Sequence, residues 1–299
     1  MQPEQHLRDT LAQRPQKAGA FIVTLYGDVV VPRGGEVWIG NIIEICAEIG
    51  INESLVRTSV SRLVAAGRLR GTRAGRRSFY RLTEAAQSEF ARAAEVLFAP
   101  PGPREERGWR IVWLPPTAPP EAMQGLRESG FGRLGARLAI APEPVSRRGG
   151  ASDADFGGLS FRTDNGCAAD PDMLRVLAAE CWPLDRLACA YEDFIERFAP
   201  LAALTEAQMA QLGGRLCLIA RLVLVNEFRH VALSDPDLPD AARPSDWPAD
   251  AARRLYARLY CRLSGAADSH VAGHFIDAQG KLRDRYGTVA ARIDALSRY

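Results

Sequence analysis

The side chains most able to bind something lie in residues 52–83. Arg57, Arg62, Arg68, Arg70, Arg73, Arg76, Arg77 and Arg81 fall between positions 54 and 83, with no Asp, Glu or Lys among them. A guanidinium keeps its charge at any physiological pH and offers a planar fork that matches phosphate oxygens or the edge of guanine. Ser54, Thr58 and Ser61 are interleaved with them, and such hydroxyls contact bases or phosphates according to position. The implied chemistry is recognition of a polyanion, and of duplex DNA in particular. An Arg-rich run is often only solvated surface, but here no compensating acid occurs over thirty residues. Charge alone leaves RNA open, although the row of stacking aromatics used by single-strand readers is missing.

Two elements must position these groups. Val56, Val60, Leu63 and Val64 follow the spacing of one helical stripe, which puts Ser54, Arg57, Thr58, Ser61, Arg62 and Ala65 on the other side. Asn52 is a suitable N-cap, Ile51 and Val56 match a hydrophobic staple, and Gly67 can end the helix in a left-handed turn. Beyond it, Leu69 and Gly71 lead out to a turn at residues 73–76, and Tyr80 and Leu82 lead back. Gly75 can supply the positive φ of that turn. A polar-faced helix followed by an arginine-tipped hairpin reads as a winged helix-turn-helix. Its expected DNA contacts are Ser54, Arg57, Thr58, Ser61 and Arg62 on the helix and Arg73, Arg76 and Arg77 on the wing.

The 299 residues suffice for two or three domains with cores of their own. Formal net charge is +2, so setting aside the +8 of residues 54–83 leaves −6 for the rest. Basicity is thus concentrated where a phosphate backbone would lie. Six scattered cysteines contain no CxxC pair, which argues for free buried thiols in a reducing cytosol. Neither an apolar signal core nor a membrane-length apolar run is present, so a cytoplasmic protein without a membrane partner is expected.

Residues 1–17 are polar and expected as a loose arm. By local propensity the β-branched run at 21–31 favours a strand, whereas its place before the helix pair favours a helix for its first half. The stretches IVTLYGDVVVPRGGEVWIG, ESLVRTSVSRLVAAGRL and GRRSFYRLT, at 22–40, 53–69 and 75–83, closely resemble the N-terminal domain of the PaaX family of bacterial transcriptional repressors. That family controls phenylacetic acid degradation and responds to phenylacetyl-CoA. The resemblance implies a DNA-binding domain at 18–98. Within it a second helix is expected from 38 to 49, with Ile39, Ile42, Ile43, Cys46 and Ile49 on one face and Gly50 closing it, and a helix capped by Thr83 follows. Glu44 and Glu48 are expected to point outward.

APPGPREERG at 99–108 reads as a linker. Residues 109–184 give strand, helix, strand, a Pro/Gly/Ser-rich loop at 142–158 with Arg147 and Arg148, and a further strand in LSFRTDN. This order is similar to the family's middle domain, which implies a ferredoxin-like, Cas2-related fold. No paired acids stand at a strand end to hold a metal, so nuclease chemistry is not carried over. Residues 185–299 read as helical, with a good helix start at 205–208 for the long middle helix. RLVLVNEFRHVALSDPDLPDAARPSDWP at 221–248 is the second block of family resemblance. Family members often carry His where this chain has Asn226.

The resemblance implies an effector pocket among the C-terminal helices. Arg215, Arg221 and Arg229 could meet the phosphates of a CoA thioester, with His230 and Trp247 beside them. The same residues could equally be helix-surface groups paired with acids. Trp182, Tyr191, Phe228 and Trp247 could stack on an aromatic acyl group or simply pack the core. His270 and His274 share a helical face near Asp268 but lack the glutamate of a zinc-protease motif, and no catalytic triad or phosphate loop is visible. The expectation is an α+β multidomain protein: a winged helix, a ferredoxin-like domain and a helical C-terminal effector and dimerisation domain. It would be a homodimeric repressor of phenylacetate genes that needs no cofactor or metal and leaves its operator when an aryl-acyl-CoA binds. The alternatives are an acyl-CoA-processing or nuclease-like enzyme with a winged-helix targeting module, or the same regulator answering a different acyl-CoA.

Overall fold

The computed structural model describes residues 3–12, 14–102, 108–143, 157–163, 170–284 and 286–299. Half of the linker at 99–108, most of the loop at 142–158 with Arg147 and Arg148, and Cys167 lie outside the described residues. The first half of the chain runs α1 (Pro3–Ala12), α2 (Ala18–Leu25), β1 (Glu36–Trp38), α3 (Ile39–Ala47), α4 (Glu53–Ala65), β2 (Leu69–Ala74), β3 (Arg77–Leu82), α5 (Glu84–Leu97), β4 (Trp109–Trp113), α6 (Ala122–Glu128), β5 (Gly132–Leu134) and β6 (Leu138–Pro142). It continues with β7 (Leu159–Arg162), α7 (Pro171–Cys181), α8 (Leu184–Ala202), α9 (Glu206–Ala210), α10 (Gly214–Ala232), α11 (Ala249–His274), β8 (Ile276–Asp277), β9 (Gly280–Lys281) and α12 (Thr288–Ser297). Helices and small antiparallel sheets make it an α+β protein.

Packing groups residues 1–101, 194–229 and 251–299 into one compact unit, and residues 102–193 and 230–250 into another. This grouping differs from a division taken in chain order, in which the C-terminal helices stand apart from the N-terminal segment. The reason is pairing across the chain: Phe228 of α10 stacks on Tyr256 of α11, Thr24 of α2 bonds Asn226 of α10, and Arg221 of α10 pairs with Asp28 just after α2.

In the first unit the run at 21–31 is helical throughout. α2 continues into a wide π turn at Tyr26–Val30 and a 3-10 turn at Val31–Arg33, which Gly34 closes with φ +105°. Phe21, Ile22, Leu25, Val29 and Val30 are all fully buried, and this tertiary burial outweighs strand propensity. The π turn brings Asp28 inward, where it accepts hydrogen bonds from Arg221 Nε at 2.9 Å and from the Tyr260 hydroxyl at 2.8 Å. Arg221 Nη1 also donates to Asp268 at 2.8 Å, and Arg33 donates to the same carboxylate oxygen at 2.8 Å. An unpaired charge could not remain here, so α2, α10 and α11 are held by a network in which each buried charge has an opposite partner, although Arg221 Nη2 makes no hydrogen bond among the described residues.

α3 begins at Ile39 because Trp38 is the last residue of β1, a strand that the sequence did not signal. Its buried face is Ile39, Ile42, Ile45 and Cys46, with Ile43 and Ile49 only half-buried, so the stripe is rotated from the expected one. Residues 1–17 are not a loose arm throughout: Pro3–Ala12 is helical and Leu7 is fully buried. Gln16 donates to Glu227 at 2.9 Å and accepts from the Asn226 amide at 2.6 Å, while the Thr24 hydroxyl donates to the Asn226 carbonyl at 2.8 Å. Asn226 therefore ties the arm and α2 to α10. Thr205 and Gln208 form a capping box, but it starts the short α9, and the long α10 begins only at Gly214.

The second unit is built on a four-stranded antiparallel sheet in the order β5-β6-β4-β7. Alternation gives it a core on each face. Val112, Ala139 and Ala141 pack with Ala122 and Leu126 of α6, and Trp109 and Ile140 pack with Ala178 and Cys181 of α7. The glycines before β6 serve this packing: a Cβ on Gly132 would lie 2.6 Å from the Trp182 ring, and Trp182 Nε1 donates to the Gly130 carbonyl at 3.3 Å.

Candidate nucleic-acid interface

α4 lies on α2 and α3 with Val56 and Val60 buried, and most of its remaining surface is exposed. Leu63 is half-buried and Val64 is exposed, so the apolar stripe is narrower than its spacing suggests. The Asn52 side chain accepts from Leu55 N at 2.9 Å, and Ile51 and Val56 are buried together as staple partners require. At the other end Arg68 N donates to Leu63 O and Gly67 N to Val64 O, with Gly67 at φ +68°, the hydrogen-bond pair of a Schellman close. Both ends of α4 are therefore fixed by local chemistry. Ser54, Arg57, Thr58, Ser61 and Arg62 all stand exposed on it.

Leu69 pairs with Leu82, and Ala74 with Arg77, which leaves Gly75 and Arg76 as a two-residue turn with Gly75 at φ +59°. Arg73, Arg76 and Arg77 are exposed at and beside that tip. β3 also pairs with β1, so the hairpin is braced on one edge. Its base is fastened to the end of α4: Thr83 N donates to Arg68 O at 3.1 Å, and the Thr83 hydroxyl donates to Gly67 O at 2.7 Å. Arg77 lies 5.2 Å over the Trp38 ring, a contact that limits its wandering.

The cationic field is less uniform than the sequence count. Glu53 accepts from Arg57 Nε at 2.8 Å, Glu89 takes both oxygens to Arg68 at 2.7 and 2.8 Å, and Glu36 is 3.5 Å from Arg81. Glu53 was legible as an i,i+4 partner, but Glu36 and Glu89 arrive from β1 and α5 and could not be seen from spacing. Among the described residues Arg62, Arg70, Arg73, Arg76 and Arg77 have no ion pair. Arg70 stands directly opposite Arg81 in the ladder, an arrangement that costs free energy until an anion lies between the two.

The candidate effector residues have varied surroundings. Arg215 on α10 pairs with Glu44 at 3.4 Å and Glu48 at 2.8 Å, so these two acids are partnered and not simply turned to solvent. Arg221 is wholly buried between Asp28 and Asp268, which occupies its guanidinium inside the protein. Arg229 is half-buried and donates to Ala20 O at 3.3 Å. In the second unit His230 is exposed and Trp247 half-buried, edge-on to Tyr191 at 6.0 Å. Trp182, Tyr191 and Phe228 are core residues, and Phe228 stacks on Tyr256 at 4.1 Å.

His270 and His274 stack at 4.2 Å on one face of α11, as their spacing implies. Burial and the neighbouring His274 hold the His270 imidazole below its ordinary range. Among the described residues no group of three or more His, Cys, Asp or Glu could hold a metal ion. Cys46, Cys181 and Cys217 are buried, and burial pushes the Cys46 thiol up to about 12 and that of Cys181 to about 11. Among the described residues no helix is long and apolar enough to cross a membrane.

Fold and surface together define an α+β protein that presents a fixed basic helix and hairpin. Residues 17–86 match the model of the PaaX-like protein family, and residues 182–273 match that of the PaaX-like protein C-terminal domain. Over 278 residues the chain is 30% identical to the transcriptional repressor PaaX of Escherichia coli (strain K12), which covers 90% of this chain and 87% of that protein. It belongs to the PaaX-like family. A solved structure, the uncharacterized protein Rv0674 from Mycobacterium tuberculosis, aligns with TM-score 0.47 at 19% identity, over 81% of this chain and 95% of the other.

Proposed function

We propose that the protein is a DNA-binding transcriptional repressor of phenylacetate or related aromatic catabolic genes, working in the bacterial cytoplasm. α4 acts as the recognition helix of a winged helix-turn-helix and the β2–β3 hairpin as its wing. Five exposed arginines without an acid partner among the described residues, on a helix and hairpin fastened together, carry this assignment. Arg57, Arg62, Ser54, Thr58 and Ser61 face the major groove, and Arg73, Arg76 and Arg77 reach phosphates or the minor groove. The Escherichia coli relative is a repressor by name, which favours regulation over catalysis.

A homodimer places one such head on each operator half-site. Release follows when an aryl-acyl-CoA, phenylacetyl-CoA first among them, prefers the conformation that does not fit DNA, by roughly 1–3 kcal/mol. In the second unit, the sheet order and the α6 crossover support a ferredoxin-like reading, although α7 follows β7 and covers the face opposite α6. The test is a gel-shift titration of promoter fragments from phenylacetate genes, with and without phenylacetyl-CoA. Retardation that the thioester abolishes is expected. No retardation at low salt removes the proposal.

A further inference from the structure

A cavity of about 430 Å³ lies in the first unit beside the turn that leads into α4. Its apolar wall comes from Leu11 and Pro15 of the arm, Ile49 of the turn, and Leu216 and Ile219 of α10. Its polar lining is Arg8, Arg14, Gln16 and Glu48. Glu48 is already held by Arg215 at 2.8 Å and has Arg8 4.0 Å away, while Arg8 also pairs with Glu4 at 3.0 Å. Among the charged lining residues Arg8 and Arg14 outnumber Glu48, which leaves this rim cationic. An apolar wall under a cationic rim selects a small amphipathic anion, and the volume falls in the range of small-molecule pockets.

The location gives such a ligand a route to α4. Glu48, Ile49 and Gly50 line the cavity, Gly50 turns the chain at φ +78°, and Asn52 caps α4 two residues later. The opposite wall is equally anchored. Arg197, buried and paired with Glu227 at 2.9 Å, donates to Thr10 O at 3.3 Å, and Gln16 joins the same Glu227. An anion at the rim competes with Glu48 for Arg8 and Arg215. Losing those partners frees Glu48 at the end of α3, and the turn that sets the angle of α4 moves with it.

We propose that this cavity is the effector seat: it takes the aryl or alkyl group of an acyl thioester or carboxylate, with the anionic remainder over Arg8 and Arg14. The proposal rests on the repressor reading and specifies where its release signal enters. The arm is thereby part of the sensor, and the long helices that carry the buried charge network serve as its frame.

The experiment compares the full-length protein with Leu11→Trp, which fills the cavity from a half-exposed position, and with Arg8→Glu, which reverses the rim. Each is titrated with the fluorescent amphipathic anion 1-anilinonaphthalene-8-sulfonate and with phenylacetyl-CoA beside free phenylacetate and free CoA. Each is also tested for thioester-dependent release from the promoter fragment. Expected are affinities at least about tenfold weaker in both variants for the fluorophore and for the thioester, with ligand-free operator retardation as in the parent for Leu11→Trp. Unaltered fluorophore and thioester affinities in both variants overturn the cavity as a binding site. A Leu11→Trp protein released by the thioester as readily as the parent overturns it as the effector seat. Should no thioester release the parent protein, the regulatory reading fails instead, and the fluorophore comparison still decides whether the cavity binds such anions.

Discussion

Arg221 and Asp28 meet at 2.9 Å with both side chains fully out of water, although 193 positions separate them in the chain. One comes from the middle of α10 and the other from the π turn after α2. The pair, with Asp268 and Tyr260, explains why the N-terminal segment and the C-terminal helices form one compact unit.

Removing one partner leaves the other charged and dry. Arg221→Met is expected to lower unfolding free energy by about 3–5 kcal/mol, and Asp28→Asn combined with Arg221→Met to recover part of that loss. Urea midpoints for the two proteins check this, and a single variant as stable as the parent contradicts the network's role.

On the basic surface, Arg62→Ala is expected to weaken binding to the cognate operator by about 1–3 kcal/mol and to relax sequence preference. Arg76→Ala is expected to weaken all duplexes alike and to reduce the slope of log K against log salt by about 0.9. Fluorescence anisotropy on cognate and scrambled duplexes at several salt concentrations separates these outcomes. Identical behaviour by both variants and the parent removes the surface from consideration.

Glu53 holds Arg57 through two contacts, at 2.7 and 2.8 Å, on the exposed face of α4. Glu53→Gln releases that guanidinium and deletes a negative charge beside the helix N-terminus. Binding to any duplex is expected to tighten by up to about tenfold at low salt, with little gain at high salt. A weaker complex at low salt would mean that the pair positions Arg57 for DNA and does not restrain it.

A methyl group on Gly132 has nowhere to go: Trp182 lies 2.6 Å from its position and Cys181 Cβ 2.7 Å. Gly132→Ala is expected to cost about 1–3 kcal/mol through overpacking. Tryptophan fluorescence during urea titration, to which Trp109 and Trp182 of that core contribute, checks this, and an unshifted midpoint speaks against the tight fit.

His270 contributes a pH dependence whose sign follows from burial. Its folded-state value lies below the ordinary 6.5, so between the two the unfolded chain binds more protons. Stability is complete above 6.5 and declines as pH falls below it. His270→Gln should flatten the thermal midpoint across pH 5–7 relative to the parent; parallel curves would assign the acid sensitivity elsewhere.

Much of the basic surface could be read from residue types because its signals are local. Asn52, Gly67, Gly75 and Thr83 each act on neighbours within a few positions, and the hairpin turn and both ends of α4 stand where those residues imply. What escaped depends on partners remote in sequence. Val29 and Val30 sit fully buried in a helical turn although local propensity favours a strand there, and Ile45 is buried where periodicity placed Ile43. Arg221, for which a ligand role and pairing with acids both stood open, answers to Asp28, and Glu36 and Glu89 reach the basic face from other elements. Leu7 belongs to the stretch expected as a loose polar arm, and only the fold supplies the surface that covers it.

Thr83 joins the Gly67–Arg68 turn that closes α4 to the foot of the hairpin through two hydrogen bonds. Neither reading element can then be withdrawn while the other stays seated: tilting the helix swings the ribbon by the same rotation. Departure from an operator is consequently expected as one concerted step, in which protections in both grooves of a footprint fade at the same effector concentration.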